Sequence, residues 1–146
     1  MAKIYNYTQF VSETIKASEA FDTYSSLKTL VDGKRKIAFE TRNDLIDEEV
    51  QKLLTQLYEM GFKKMTVKSV HGAVIIYHPD SYRHAVELKE IAERYGGLLH
   101  WQASLRDHRR IGELLEYEKN DIDNFIKKML SRHEYEDGLF KKTKIR

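Results

Sequence analysis

The chain has 146 residues, 41% hydrophobic and 33% charged, with a formal net charge of +2. A chain of this length buries roughly two-thirds of the surface its unfolded form exposes, and so small a net charge leaves any basic footprint to be local. The absence of cysteine excludes disulfides, thiolate metal ligands and a thiol nucleophile, and fits a reducing compartment.

No apolar run approaches the roughly 18 residues of a membrane span. The opening MAKIYNYTQFVSETIKASEAF is broken by polar and acidic residues and lacks a signal-peptide centre. The expectation is a soluble, unexported, cytoplasmic protein.

In chain order, residues from about Thr8 to Leu30 carry Phe10, Val11, Ile15, Phe21, Tyr24, Leu27 and Leu30 at mixed helical spacings, with Gly33 as the stop. Two helices broken near Ser25-Ser26 fit nearly as well. KIAFET alternates, Ile37 and Phe39 against Lys36, Ala38 and Glu40, which is the period of a half-buried strand. NDLIDEEVQKLLTQLYEMG then predicts a helix capped by Asn43 or Asp44. Its stripe is Ile46, Val50, Leu53, Leu54 and Leu57, and Gly61 ends it.

KMTVKSV and AVIIYH predict two short strands around a His71-Gly72 turn. The next helix is approached through Pro79, Asp80 and Ser81, turns Ala85, Leu88, Ala92 and Tyr95 inward, and stops at Gly96-Gly97. The tripeptide His78-Pro79-Asp80 resembles the loop of J-domain co-chaperones. There it joins two helices, whereas here it leads from strand to helix and reads as approach and cap chemistry. LLHWQA predicts a last strand.

Residues 35–103 thus give strand, helix, strand, strand, helix, strand, the ferredoxin-like βαββαβ order. The expected class is α+β, with an N-terminal helical segment (1–34), the βαββαβ unit (35–103), a C-terminal helical pair (104–135) and a basic tail (136–146) that frays, all in one domain. Such a unit places both helices on one sheet face. By alternation the other face carries Lys36, Glu40, Thr66, Lys68, His100, Gln102 and Tyr77. With Tyr77 as its one candidate for stacking a base, that face is expected to be covered or solvated, and Trp101 to pack beneath the helices.

The stretch SLRDHRRIGELLEY concentrates charge. Ser104 followed by Asp107 is a capping-box-like start. At 100° per residue, Ile111, Leu114 and Leu115 fall on one side with His108 at its edge, and Arg106, Arg109 and Arg110 fall opposite. After the short link YEKN, a second helix starts at Asn120 or Asp121 and buries Ile122, Phe125, Ile126, Met129 and Leu130.

IGELLEYEKNDIDNFIKKML is similar to the helix-turn-helix pattern of bacterial DNA-binding regulators. Ile111, Gly112, Leu115, Tyr117, Ile122 and Ile126 hold its apolar or small positions, and Glu116 stands where that pattern has a turn glycine. The resemblance implies a second helix that reads DNA through Asn120, Asn124, Lys127 and Lys128, with Arg106, Arg109 and Arg110 near phosphates. Glu118, Asp121 and Asp123 share that surface. Eleven Lys or Arg face nine Asp or Glu across residues 104–146, a weak field for a polyanion.

Other chemistry is sparse. The six histidines show no i, i+4 pair for a helical zinc site. No phosphate-cradling glycine loop or nucleophile elbow occurs. Asp107 and His108, adjacent on a helix, point about 100° apart and make no relay.

The expectation is therefore a non-catalytic, macromolecule-binding module without metal or cofactor, using the arginine face on an acidic protein surface or nucleic-acid phosphates. A small phage or mobile-element accessory protein would suit that size. The alternatives are a helix-turn-helix regulator and a small enzyme in which a cleft brings His100 or His108 to an acid.

Overall fold

The structure, a computed structural model, describes residues 15–69, 72–97 and 103–144. Its first helix, α1 (Thr23–Val31), starts where Asp22 accepts a hydrogen bond from the Ser25 amide at 2.7 Å. A helix running unbroken from Thr8 is therefore not what forms. Residues 8–14 lie outside the described residues, and Ala17–Ala20 make a separate 3-10 turn. The break falls at Phe21-Asp22, ahead of Ser25, because the Asp22 carboxylate satisfies an amide at the helix start that the chain would otherwise leave orphaned. Phe21 and Tyr24 consequently point to solvent, while Leu27 and Leu30 are fully buried.

Strand β1 (Ile37–Thr41) is followed by a 3-10 turn over Arg42–Leu45 and by α2 (Glu48–Glu59). Asn43 and Asp44 are spent in that turn, so the cap is Asp47, which accepts from the Glu49 and Val50 amides. Ile46, expected in the stripe, precedes the helix and is 78% exposed. Val50, Leu53, Leu54 and Leu57 are buried as their spacing predicts, each contributing about 1.5–3 kcal/mol.

β2 (Lys63–Val67) and β3 (Ala73–Tyr77) follow, then α3 (Tyr82–Arg94). The His78 ring caps the short 3-10 turn begun by Pro79, its Nδ1 accepting from the Asp80 amide at 3.1 Å, and α3 itself starts after Ser81 with no side-chain cap, so Asp80 does not take the capping role expected of it. The chain ends in α4 (Leu105–Leu114) and α5 (Lys119–Lys144). The helix α5 runs on through most of the stretch expected as a frayed basic tail.

The protein is α+β, with a three-stranded antiparallel sheet in the order β1-β3-β2. Ile37 and Lys63 both stand opposite Tyr77, so β1 and β2 run parallel to each other on either side of β3. The expected last strand falls on residues 98–103, of which 98–102, with His100, Trp101 and Gln102, lie outside the described residues.

The helices depart from the expected arrangement. Ala38, Val74 and Ile76 pack on α1 and α2. Ile37, Ala73, Ile75, Tyr77 and Val67 pack on α3 and α4. The two connecting helices therefore cover opposite faces, and the sheet is the middle of three layers. The physical reason is in β3, whose five residues AVIIY are apolar throughout and all buried, the pattern of a strand covered on both sides. The face expected to be covered or solvated is covered over β1, where Lys36 and Glu40 are buried and Ser26 of α1 bonds Glu40, while Thr66 and Lys68 on β2 and just beyond it are exposed; Tyr77, expected on this face, packs on the opposite one. Among the described residues no helix is long and apolar enough to cross a membrane.

Candidate functional site

The start of α4 is held by a relay. Ser104 Oγ accepts from the Asp107 amide at 3.1 Å, the capping role its position predicts. Asp107 does not reach back to Ser104 directly. The Ser104 amide donates to the Tyr95 hydroxyl at 3.2 Å, and that hydroxyl donates to Asp107 Oδ2 at 2.6 Å. The Tyr95 hydrogen bond, helped by Arg94, holds the Asp107 carboxyl below its ordinary range against a burial effect that raises it.

The arginine face is largely answered from within the protein. Arg110 grips Glu87 of α3 with two parallel bonds, Nε to Oε2 at 2.5 Å and Nη2 to Oε1 at 2.8 Å, and also approaches Glu113. This fork pushes Arg110 up and Glu87 down from their ordinary values. Arg109 pairs with Asp123 of α5 at 2.9 Å. Arg106 stays exposed on the rim of a shallow hollow of about 320 Å³ that mixes Arg94, Arg106, Arg109 and Arg110 with Glu87, Glu90, Asp107 and Glu113. Four acids against four bases leave no strong field.

On α5, Asn120, Asn124, Lys127 and Lys128 are exposed, as expected of a contact surface. The buried stripe is narrower than predicted. Ile122 and Met129 are inside, but Phe125 and Leu130 are each 44% exposed. Phe125 lies to the side of the stripe, where its ring meets the His108 ring edge-on at 5.2 Å.

Between α4 and α5 the chain turns at Leu115–Glu118. Glu116 has φ +63°, in the left-handed region that favours glycine. Gly112 lies against the opposite helix, where an added Cβ would stand 2.8 Å from Ile122 Cγ1. The strain at Glu116, about 1–2 kcal/mol, is compensated by unusual ties. Its carbonyl accepts from the Ile15 amide at 2.9 Å and its carboxylate from the Lys36 amide at 2.6 Å, while the Glu118 amide donates to the Ile15 carbonyl.

Beneath this turn lies Arg35, 1% exposed. Its guanidinium donates to Thr29 Oγ1, Ser26 Oγ and the Leu115 carbonyl, and stands 5.7 Å from the Tyr117 ring centre. Ser26 in turn donates to Glu40 at 2.7 Å. Burial pulls Arg35 down against the opposing charges of Glu40 and Glu116, and pushes both Glu40 and Glu116 up to about 7.

A mostly apolar cleft of about 260 Å³ opens between α4 and α5, lined by His108, Ile111, Gly112, Tyr117, Asp121, Ile122 and Phe125. His108 from α4, Tyr117 from the turn and Asp121 from α5 therefore share one cavity. His108 and Asp121 are the histidine and the acid among its lining residues. Sequence reasoning placed His108 at the core edge but named neither Tyr117 nor Asp121 as its companion. The available signal was Gly112, a small residue one helical turn beyond His108 where only a close helix crossing or a cleft explains it.

Neither protein-family profiles nor characterised sequences match the chain. In structure it is similar to the bacterial cysteine methyltransferase effector NleE, with a TM-score of 0.57 and 21% identity over 82% of this chain and 68% of that one. The likeness is one of fold.

Proposed function

We propose that the cleft between α4 and α5 binds a small ligand and that the chain acts there as a group-transfer enzyme. The observation that carries this reading is the convergence of His108, Tyr117 and Asp121 on one apolar cleft. Such a cleft with a few polar groups is the usual form of a small-molecule site. His108 is the group in it suited to take a proton from an attacking thiol or amine, and Asp121 and Tyr117 are suited to orient what binds.

Methyl transfer is the reaction class to test first, by analogy of fold with NleE, an analogy that raises a prior and no more. A thiol acceptor would belong to another molecule, since this chain has no cysteine. A sulfonium donor supplies the methyl group: its carbon–sulfur bond breaks as the bond to the acceptor forms, the donor leaves as a neutral thioether, and His108 takes the acceptor's proton. At about 260 Å³ the cleft falls below the range of about 300–1,000 Å³ for sites that enclose a drug-sized ligand. It therefore suits one ring or one methylated head group of a donor rather than a whole nucleoside.

Incubation of a native-cell lysate with labelled S-adenosylmethionine is expected to give protein-bound methyl label with the wild-type chain. His108→Gln, folded by circular dichroism, should lower incorporation by about 10²-fold or more. Equal labelling with both proteins would remove the reading.

A second reading keeps the chain non-catalytic, as a module that engages an acidic protein surface or nucleic-acid phosphates through Arg106, Arg109 and Arg110 together with Asn120, Asn124, Lys127 and Lys128. Its helix-turn-helix form is favoured by the left-handed Glu116 and the close Gly112–Ile122 approach. A partner must here displace Asp123 and Glu87 from the arginines. Binding to duplex DNA should then be weak, fall steeply between 50 and 200 mM salt (roughly tenfold or more) and weaken further in Arg106→Ala/Lys127→Ala/Lys128→Ala. Salt-insensitive binding would exclude phosphate contacts. The βαββαβ order for residues 35–103 stays part of this proposal, its last strand resting on residues outside those described.

A further inference from the structure

The antiparallel ladder fixes which backbone groups of β2 face outward. The Arg42 amide donates to the Gly72 carbonyl and the His78 amide to the Lys36 carbonyl. In the register of β1 on β3 the bonded pairs are therefore Ala38 with Ile76 and Glu40 with Val74. The alternate residues of β3 turn their amides and carbonyls the other way, to Lys63, Met65 and Val67 of β2. Lys64 and Thr66 are left with amides and carbonyls that point away from the sheet. Among the described residues no strand pairs with that side of β2. The opposite edge is closed to solvent, with Ile37 and Ala38 of β1 fully buried, whereas Lys63, Lys64 and Thr66 are exposed.

The edge is also cationic. Lys63 and Lys64 lie on it and Lys68 just beyond it, all exposed, and among the described residues none of the three side chains forms an ion pair. By alternation Lys64, Thr66 and Lys68 share one face. Edge lysines keep like strands apart, and a second copy adding antiparallel to β2 would bring lysines against lysines. They attract an acidic strand. The chain itself already answers this edge with a carboxylate, because the Lys68 amide, two residues past Thr66, donates to Glu93 Oε2 of α3 at 2.8 Å. Gly97 packs against the Lys68 carbonyl and Ser69, which closes the edge beyond β2. Nucleic-acid phosphates offer acceptors only and would leave the Lys64 and Thr66 carbonyls unanswered. An extended peptide offers donors and acceptors at the repeat of the strand itself.

We infer that the outer edge of β2 takes up an extended acidic segment of another protein as an added strand. Its backbone bonds Lys64 and Thr66, and its carboxylates meet Lys64 and Lys68, with Lys63 adding to the field. This surface is independent of the cleft between α4 and α5.

The test is an amide-shift titration of the full chain, at low salt, with an eight-residue peptide alternating glutamate and valine. The controls are its glutamine and lysine counterparts and the glutamate peptide N-methylated at its two central residues, which blocks both of its own edges. The glutamate peptide is expected to shift the Lys64 and Thr66 amides and to bind at least about tenfold more tightly than the glutamine peptide. The N-methylated form should not bind. Lys63→Glu/Lys64→Glu, its spectrum unchanged elsewhere, should weaken the glutamate peptide by about tenfold and admit the lysine peptide. Equal binding of the glutamate and glutamine peptides overturns the selection of an acidic partner. Equal binding of the N-methylated form overturns strand addition. Shifts produced by an oligonucleotide but by no peptide, or by nothing at all, overturn the inference outright.

Discussion

Glu116 carries more roles than its place in a surface turn suggests. It holds a left-handed backbone, accepts the Lys36 amide and faces Arg35 from outside the sheet. Its carboxyl and that of Glu40 are both raised to about 7, chiefly by burial. Unfolded, each titrates in the ordinary carboxylate range, so the folded state binds extra protons between about 4.5 and 7. The stability they confer is full below that window and lost as pH rises through it. Glu87, Asp107 and Glu19 are shifted the other way by hydrogen-bonded partners, and their contribution is lost as pH falls below the ordinary range. Urea unfolding should accordingly show a fall of about 2 kcal/mol for each acid between pH 5.5 and 8, and Glu40→Gln should remove about half of the total. A profile that is level in the wild type would contradict the burial of these two acids.

At the scale of elements, the crossing of α4 and α5 depends on one missing methyl group. Gly112→Ala places a carbon 2.8 Å from Ile122 Cγ1, so Ile122 must leave its rotamer or the helices must part. Overpacking of this kind costs about 1–3 kcal/mol, offset by about 1 kcal/mol from the better helix propensity of alanine. A net loss of about 1–2 kcal/mol, read as a lowered Tm, is expected. An unchanged or raised Tm would mean that the two helices do not meet closely. The helices themselves were legible because their signals are local. The stripe of α2 and the Ser104 cap of α4 follow from spacing alone. The break at Phe21-Asp22 and the exposed Phe125 were not legible, since both depend on which neighbour an element meets. The salt bridges that occupy Arg109 and Arg110 are of the same kind, their partners lying on α5 and α3.

For the whole molecule, the succession of the three described strands and the helices between them could be expected from their patterns, but the three-layer arrangement could not. The apolar run of β3 signals burial on both faces without saying which helix covers which. Lys36 and Glu40 fall by alternation on the face expected to be covered or solvated, and both are buried, Glu40 against Ser26 of α1. The candidate site was half visible. SLRDHRRIGELLEY holds both His108 and Tyr117 of the cleft lining, while Asp121 lies beyond it on α5, and only the crossing of the two helices puts the three together.

The bond from Arg35 to the Leu115 carbonyl joins residues 80 positions apart, as does that from the Lys36 amide to Glu116. During synthesis, the sheet and its first three helices leave the ribosome before either partner does. Until then the Arg35 charge, which the folded protein buries, lacks the carbonyl that caps it. The first hundred residues are thus not a self-sufficient module to which a helical pair was appended. Cutting the chain ahead of α4 would leave a buried cation short of a partner, so neither half is expected to be transplanted or expressed alone without the other.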